Sequence, residues 1–406
     1  MLDAIRVHGV DNISMLAERA DLRIETARYQ IWHELPSRGI GIDVELDFGL
    51  MGLETWEARI NLPENVKKAR TILEYLKGEC GAIYGTEVLP AGRILAIVPI
   101  PVYGEHRLKR ILDWLVSMNQ VEAYELRKMN WFQSVSLNLD CYDLSEGTWN
   151  IDWDLIQRRM MTTLASKKNL PLPGSQSACT YSTIDSKDLS LIHGLQVRLP
   201  SAISKLAESA GLDQFNARYH YNKHVKRYVK GYCIRAKQTR RQSLSVPFLF
   251  SYSSSATRTK DGEEEVSDFP RIRACALSLP FTTAEWKTEA NNTYAWLVAC
   301  PPEYIADTFR YVSKNTRPSS PQRGELRYDM LDATSEFKQP LPAQMFDQAK
   351  NRWRFEPKIS LGLFHAGFDE VSSRCEYKRA GHCTYDGARR VLPHPCKLSM
   401  CAFARR

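Results

Sequence analysis

The chain has 406 residues and a mass of 46.5 kDa, with 43% hydrophobic and 25% charged residues. These proportions exclude wholesale disorder and leave room for roughly three domains of about 150 residues. Net charge is +8, but it is unevenly spread. Residues 1–60 hold 6 Lys/Arg against 11 Asp/Glu, residues 201–260 hold 12 against 2, and the last 36 residues hold 8 against 2. A polyanionic partner would be drawn to the two basic regions. No apolar run approaches the ~18–20 residues that span a bilayer, and the start (MLDAIRVHGVDN) lacks the shape of a signal peptide. A cytoplasmic protein is expected, in which the 10 Cys serve as thiols or metal ligands rather than a disulfide framework.

Residues 13–35 (ISMLAERADLRIETARYQIWHEL) match residues 203–225 (ISKLAESAGLDQFNARYHYNKHV) at 10 of 23 positions without a gap. The chain therefore reads as a duplicated unit. In the first copy Ile13, Leu16, Ala17 and Ala20 stand at i, i+3, i+4, i+7, one face of a short helix. Asp21-Leu22 breaks that pattern, and Gly211 takes the breaking position in the second copy, suited to a sharp turn. A second helix follows, with the expected core faces Ala27/Ile31/Leu35 and Ala217/Tyr221/Val225. Small Ala17 and Ala207 let two helices cross closely, which is helix-turn-helix spacing. Residues 38–46 (RGIGIDVEL) and 230–234 (KGYCI) then read as the strand of a wing.

The run from Ile13 to Leu53 resembles the N-terminal winged helix of the Lrp/AsnC family of transcription regulators. The resemblance implies a ferredoxin-like βαββαβ effector domain next, and residues 51–129 can be read that way: GLETWEARINL a strand, NVKKARTILEYLKGE a helix, TEVLPAGRILAIVPI a hairpin, EHRLKRILDWLVSMN a helix and VEAYELRKM a strand. Val66/Ala69/Ile72/Leu73/Leu76 and Leu108/Ile111/Leu112/Leu115 form the core stripes of the two helices. In the second copy FPRIRACALSLPF and NNTYAWLVACPP read as strands and EYIADTFRYVSKN as a helix. No first helix is evident, so that domain is expected to be altered. The resulting α+β chain divides into a winged helix-turn-helix (1–50), a ferredoxin-like effector-type domain (51–165), a linker (166–186), a basic winged helix-turn-helix (187–245), an altered ferredoxin-like domain (246–365) and a Cys-rich basic tail (366–406). Residues 251–268 read as an inserted loop. The family assembles single units into dimers, so an internal pseudo-dimer is expected here.

The second helix of copy 2 mixes cations, amides and aromatics in the manner of a recognition helix for double-stranded DNA. Gln214, Asn216, Arg218 and Lys223 fit base reading; Tyr219 and His220 lie among them. Lys226, Arg227 and Lys230, with Lys237, Arg240 and Arg241, fit phosphate contacts. In copy 1 Arg23, Thr26, Arg28 and Gln30 have the matching places, but Asp21, Glu25, Glu34, Asp43, Glu45 and Asp47 surround them and repel phosphate. In the tail, Cys375, Cys383, Cys396 and Cys401 stand at C-x7-C-x12-C-x4-C, where four thiolates suit zinc, or an iron–sulfur cluster, with His382 or His394 as substitutes. The remaining cysteines read as small buried hydrophobes, and the Trp-bearing segments GTWNIDWD and NRWRF as packing elements. No nucleotide-loop, zincin or hydrolase motif occurs. The expected protein is a DNA-binding transcription regulator and not an enzyme. The family resemblance adds a small-molecule effector and other transcription proteins as partners. Two alternatives are an RNA- or ribonucleoprotein-binding protein, and a siroheme-decarboxylase-like enzyme on the same frame, in which His193, His220 and His224 could serve.

Overall fold

The computed structural model describes residues 2–10, 12–64, 69–90, 92–136, 138–143, 146, 148–165, 184–198, 203–236, 245–254, 268–289, 292–317 and 324–357. The four tail cysteines, Lys237, Arg240, Arg241, most of the expected linker and residues 255–267 of the expected loop lie outside these.

Apolar residues three and four apart close a first helical head of α1 (Leu2–His8), α2 (Ile13–Arg19) and α3 (Ile24–Tyr29), continued by a π-helical turn (Gln30–Glu34) and the short α4 (Leu35–Ser37). Leu16, Ala17, Ala27, Ile31 and Leu35 are buried, as the spacing requires. Strand β1 (Ile40–Leu46) leads into β2 (Leu53–Asn61), α5 (Ala69–Gly78), β3 (Tyr84–Leu89), β4 (Arg93–Pro101), α6 (Glu105–Ser117) and β5 (Ala123–Ser134), the expected βαββαβ order. The stripes Ala69/Ile72/Leu73/Leu76 and Leu108/Ile111/Leu112/Leu115 pack on one face of these strands. A small hairpin, β6 (Tyr142–Asp143) and β7 (Thr148–Trp149), precedes α7 (Trp153–Ala165).

The second half opens on α8 (Ser186–Arg198), α9 (Ile203–Ser209) and α10 (Gln214–Lys223), which bury Leu206, Ala207, Ala217 and Tyr221. The turns after α2 and α9 each use a left-handed residue, Asp21 at φ 51° and Gly211 at φ 64°; only the second copy has the glycine that this conformation favours. Then come β8 (Val229–Ala236), β9 (Val246–Ser254), α11 (Phe269–Ser278), β10 (Thr282–Thr288), β11 (Thr293–Cys300), α12 (Ile305–Thr316) and β12 (Gly324–Leu331), with the short β13 (Phe337–Lys338) and the hairpin of β14 (Phe346–Asp347) and β15 (Arg352–Trp353) after them. Two expectations need correction here. Residues 269–278 are a helix, not a strand, so this half runs through the same element order as the first. Pro270 in the first turn suits a helix start, and Arg273 is turned inward by an ion pair with Glu285 at 2.9 Å.

The second correction concerns the wings. β1 and β8 do not project from their heads; they pair with each other, antiparallel, from Ile40 opposite Ala236 to Glu45 opposite Gly231. A lone strand would leave its N–H and C=O groups unpaired, and each satisfies the other's.

The large sheet runs β12-β9-β11-β10-β5-β2-β4-β3-β13. The last strand of the first unit, β5, pairs with β10, and the last strand of the second unit, β12, returns to pair with β3 through Met330–Leu89 and Leu331–Val88. These reciprocal pairings close the sheet around an interior of Leu95, Ile97, Met129, Leu249, Trp286 and Leu297. The Trp-bearing hairpins do pack: Trp149 meets Tyr142 and Phe281 edge-on, and the Trp353 indole donates to the Met51 carbonyl at 2.7 Å. Cys80, Cys141, Cys233, Cys275 and Cys300 are buried thiols. Among the described residues no helix is long and apolar enough to cross a membrane.

Candidate active site

The β1/β8 ribbon lies beside β5, α1 and α7, and among these elements is a cavity of about 810 Å³. Its wall takes Arg6 from α1, Glu45 from β1, Ser134 from β5, Arg159 from α7, and Lys230 and Tyr232 from β8. That volume falls in the ~300–1,000 Å³ range of small-molecule sites. Arg159 is held by Asp140, 2.8 Å away on the same wall. Three cations thus face two carboxyl groups.

Glu45 is the unusual one. It is half-buried, and one carboxylate oxygen accepts the Ser134 backbone N–H at 3.3 Å. Burial pushes its carboxyl up to about 7, and the neighbouring Glu285 adds to the rise, against the opposing pull of Lys230, the Ser134 N–H and Arg235. At neutral pH this group is divided between acid and carboxylate, the condition for proton transfer to a bound molecule. A stability consequence follows from linkage. In the unfolded chain Glu45 ionises near 4.5, whereas the folded chain holds the proton to about 7. The stability present below the lower value is lost as pH rises through the upper one. Glu45→Gln is expected to remove this component of the decline, which thermal melts of both proteins across that interval measure; parallel curves would contradict it.

The expected nucleic-acid residues are divided between two places. On α10, Gln214, Arg218, Tyr219 and Lys223 are exposed, with Phe215 beside them 81% exposed. Asn216 is exposed too, but its side chain and backbone N–H both donate to the Asp213 carboxylate that caps the helix. Lys226 and Arg227 stand exposed on the turn beyond, Arg227 lying 4.7 Å over the Tyr228 ring. His220 needs correction as a surface contact: it is buried, with Nδ1 2.8 Å from Asp188. Lys230 lies in the cavity wall. In the first head Arg23, Thr26 and Arg28 are exposed and Gln30 is half-buried, with Arg28 over Trp32. Of the histidines weighed for an enzymatic role, His193 is exposed, while His220 and His224 are both bound to Asp188; none lines the cavity.

Sequence reasoning missed Glu45 as a functional group and counted it among acids that repel phosphate. The available signal was its place between Val44 and Leu46 in the strand IGIDVEL, which it shares with Asp43, where a covered carboxyl is costly unless it has a task.

Neither a family model nor a curated protein matches the sequence. Among solved structures the chain is similar to the siroheme decarboxylase NirDL, with a TM-score of 0.48 and 10% identity over 90% of this chain and 94% of that one. It is similar also to NirDL in complex with an iron-uroporphyrin III analogue, at 0.48 and 11% over the same shares. Both structures are of a decarboxylase, against the expectation of a protein that is not an enzyme.

Proposed function

We propose that the chain is an enzyme of the decarboxylase type, acting on a polycarboxylated tetrapyrrole held beneath the β1/β8 ribbon. One observation carries this: Arg6, Arg159 and Lys230 line the same 810 Å³ cavity as a carboxyl group that titrates at about 7. The cations bind substrate carboxylates by charge-assisted hydrogen bonds. Glu45 supplies the proton: the carbon–carbon bond to one carboxylate breaks, carbon dioxide leaves, and the carbon takes the Glu45 proton, leaving a carboxylate that water re-protonates. The frame would be an internal pseudo-dimer of winged-helix heads and ferredoxin-like units, a reading supported by the reciprocal β5–β10 and β12–β3 pairings. An absorbance titration with iron-uroporphyrin tests the site. Saturable binding is expected, weakened at least about 100-fold by Arg159→Ala with Lys230→Ala, since two charged hydrogen bonds at ~1.5–3 kcal/mol each are lost. Equal affinities would remove the site from this cavity.

A second activity, binding of duplex DNA by α10, is favoured by the exposure of Gln214, Arg218, Tyr219 and Lys223 on one helix. Arg218→Ala with Lys223→Ala is expected to lower DNA affinity at fixed salt far more than Arg23→Ala with Arg28→Ala. Equal losses would contradict it, and stronger competition by structured RNA would favour an RNA partner, because A-form helices hide their major groove.

A further inference from the structure

We infer that Asp185, Asp188, His220 and His224 form a binding site for a divalent transition metal inside the second helical head. Asp185 precedes α8 and Asp188 lies in its first turn, while His220 and His224 stand one turn apart at the end of α10. One ligand atom from each lies within 4.8 Å of all the others. His220 Nδ1 is 2.8 Å from Asp188 Oδ1 and 3.8 Å from Asp185 Oδ2, and His224 Nδ1 is 3.2 Å from Asp188 Oδ2. Four donors each about 2.1 Å from one ion in a tetrahedron stand about 3.4 Å apart. These three separations lie near that value and all four donors within 4.8 Å of one another, so modest side-chain adjustment would place them around one ion.

Two imidazoles with two carboxylates form a borderline nitrogen–oxygen donor set. It suits zinc, cobalt, nickel or ferrous iron, rather than calcium, which takes oxygen ligands alone, or cuprous copper, which seeks sulfur. The Asp188 side chain is wholly buried and presents both oxygens to imidazoles, while His224 keeps 32% of its side chain open, a route by which an ion enters. The Tyr219 ring sits edge-on to both histidines, 5.7 Å from each.

A purely structural role accounts for only half of the cluster. Asp185 and Asp188 each accept the other's backbone N–H, at 2.8 and 3.1 Å, which caps α8. The histidines add hydrogen bonds to the buried Asp188, but the cap itself needs neither imidazole. The first head provides the comparison. At the same 190-residue offset, His220 and His224 are replaced by Gln30 and Glu34, and that head closes over Ala27, Ile31 and Leu35 with no imidazole at either position. Packing of this fold does not demand either histidine. A metal here would pin α8 to α10, the helix that presents Arg218 and Lys223.

The test uses the full chain, stripped by chelator and titrated with cobalt(II). One equivalent is expected to bind with ligand-field absorption of a nitrogen–oxygen site and no sulfur-to-cobalt charge transfer from that ion. Cys375, Cys383, Cys396 and Cys401, if they bound cobalt, would give the sulfur band, and a variant with all four changed to serine separates the two. In that background His224→Gln, and independently Asp185→Asn, is expected to weaken cobalt binding at least about 10-fold with the helical circular dichroism unchanged. Absence of cobalt absorption in the serine background, or binding indifferent to both substitutions, would overturn the inference.

Discussion

Arg273→Met is expected to lower folding stability by about 3–5 kcal/mol, because it leaves a buried carboxylate without its counter-charge. Arg273 reaches Glu285 through Nε at 3.2 Å and Nη2 at 2.9 Å, and both side chains are nearly inaccessible to solvent. Glu285 also accepts the Tyr294 hydroxyl at 2.6 Å and the Gln133 amide at 2.7 Å. These neutral donors soften the loss of the guanidinium without replacing its charge. The pair matters beyond α11, since Gln133 belongs to β5 and Glu285 to β10, the strands that join the two units. Urea unfolding measures the effect. Adding Glu285→Leu to Arg273→Met should recover much of the loss, because removing both charges removes the unpaired one. A single variant within about 1 kcal/mol of the parent would show that the carboxylate is accommodated without the arginine.

The second large effect falls on chemistry. Glu45→Gln is expected to slow decarboxylation by about 10²–10⁴-fold, the usual contribution of a positioned general acid, while ligand affinity changes little because the binding cations remain. The pH profile carries the sign. A proton donor must be protonated, so the rate in the bound state is level below about 7, where the Glu45 carboxyl titrates, and falls tenfold per pH unit above it. The Gln variant should lack that descending limb. A parent-like rate in the variant would assign the proton to another group.

How much of this was legible beforehand depended on whether the information was local. The helical heads were, because Leu16, Ala17, Ala27 and Ile31 repeat at helical spacing and the core they predict is the core that forms. The first βαββαβ unit was legible for the same reason, through the stripes of α5 and α6. The helix α11 was not. Ile272, Ala274 and Ala276 alternate with Arg273 and Cys275, which mimics a strand, and Arg273 is turned inward onto Glu285, 12 residues on, and over the Trp131 ring. The wings failed on partnership: RGIGIDVEL is plainly a strand, but nothing in it says that its partner lies some 190 residues away in β8. The cavity was the least accessible, since its wall is drawn from residues between Arg6 and Leu277 on elements that share no motif. Glu45 looked like one more surface acid until β5 covered it.

In the proposed function this cavity removes carboxyl groups from a tetrapyrrole. Anaerobic incubation of the purified full chain with siroheme, followed by mass spectrometry of the pigment, tests it most directly. Products lighter by whole units of carbon dioxide, formed in proportion to protein and absent with Glu45→Gln, are the predicted result; siroheme recovered with every carboxylate in place would contradict it.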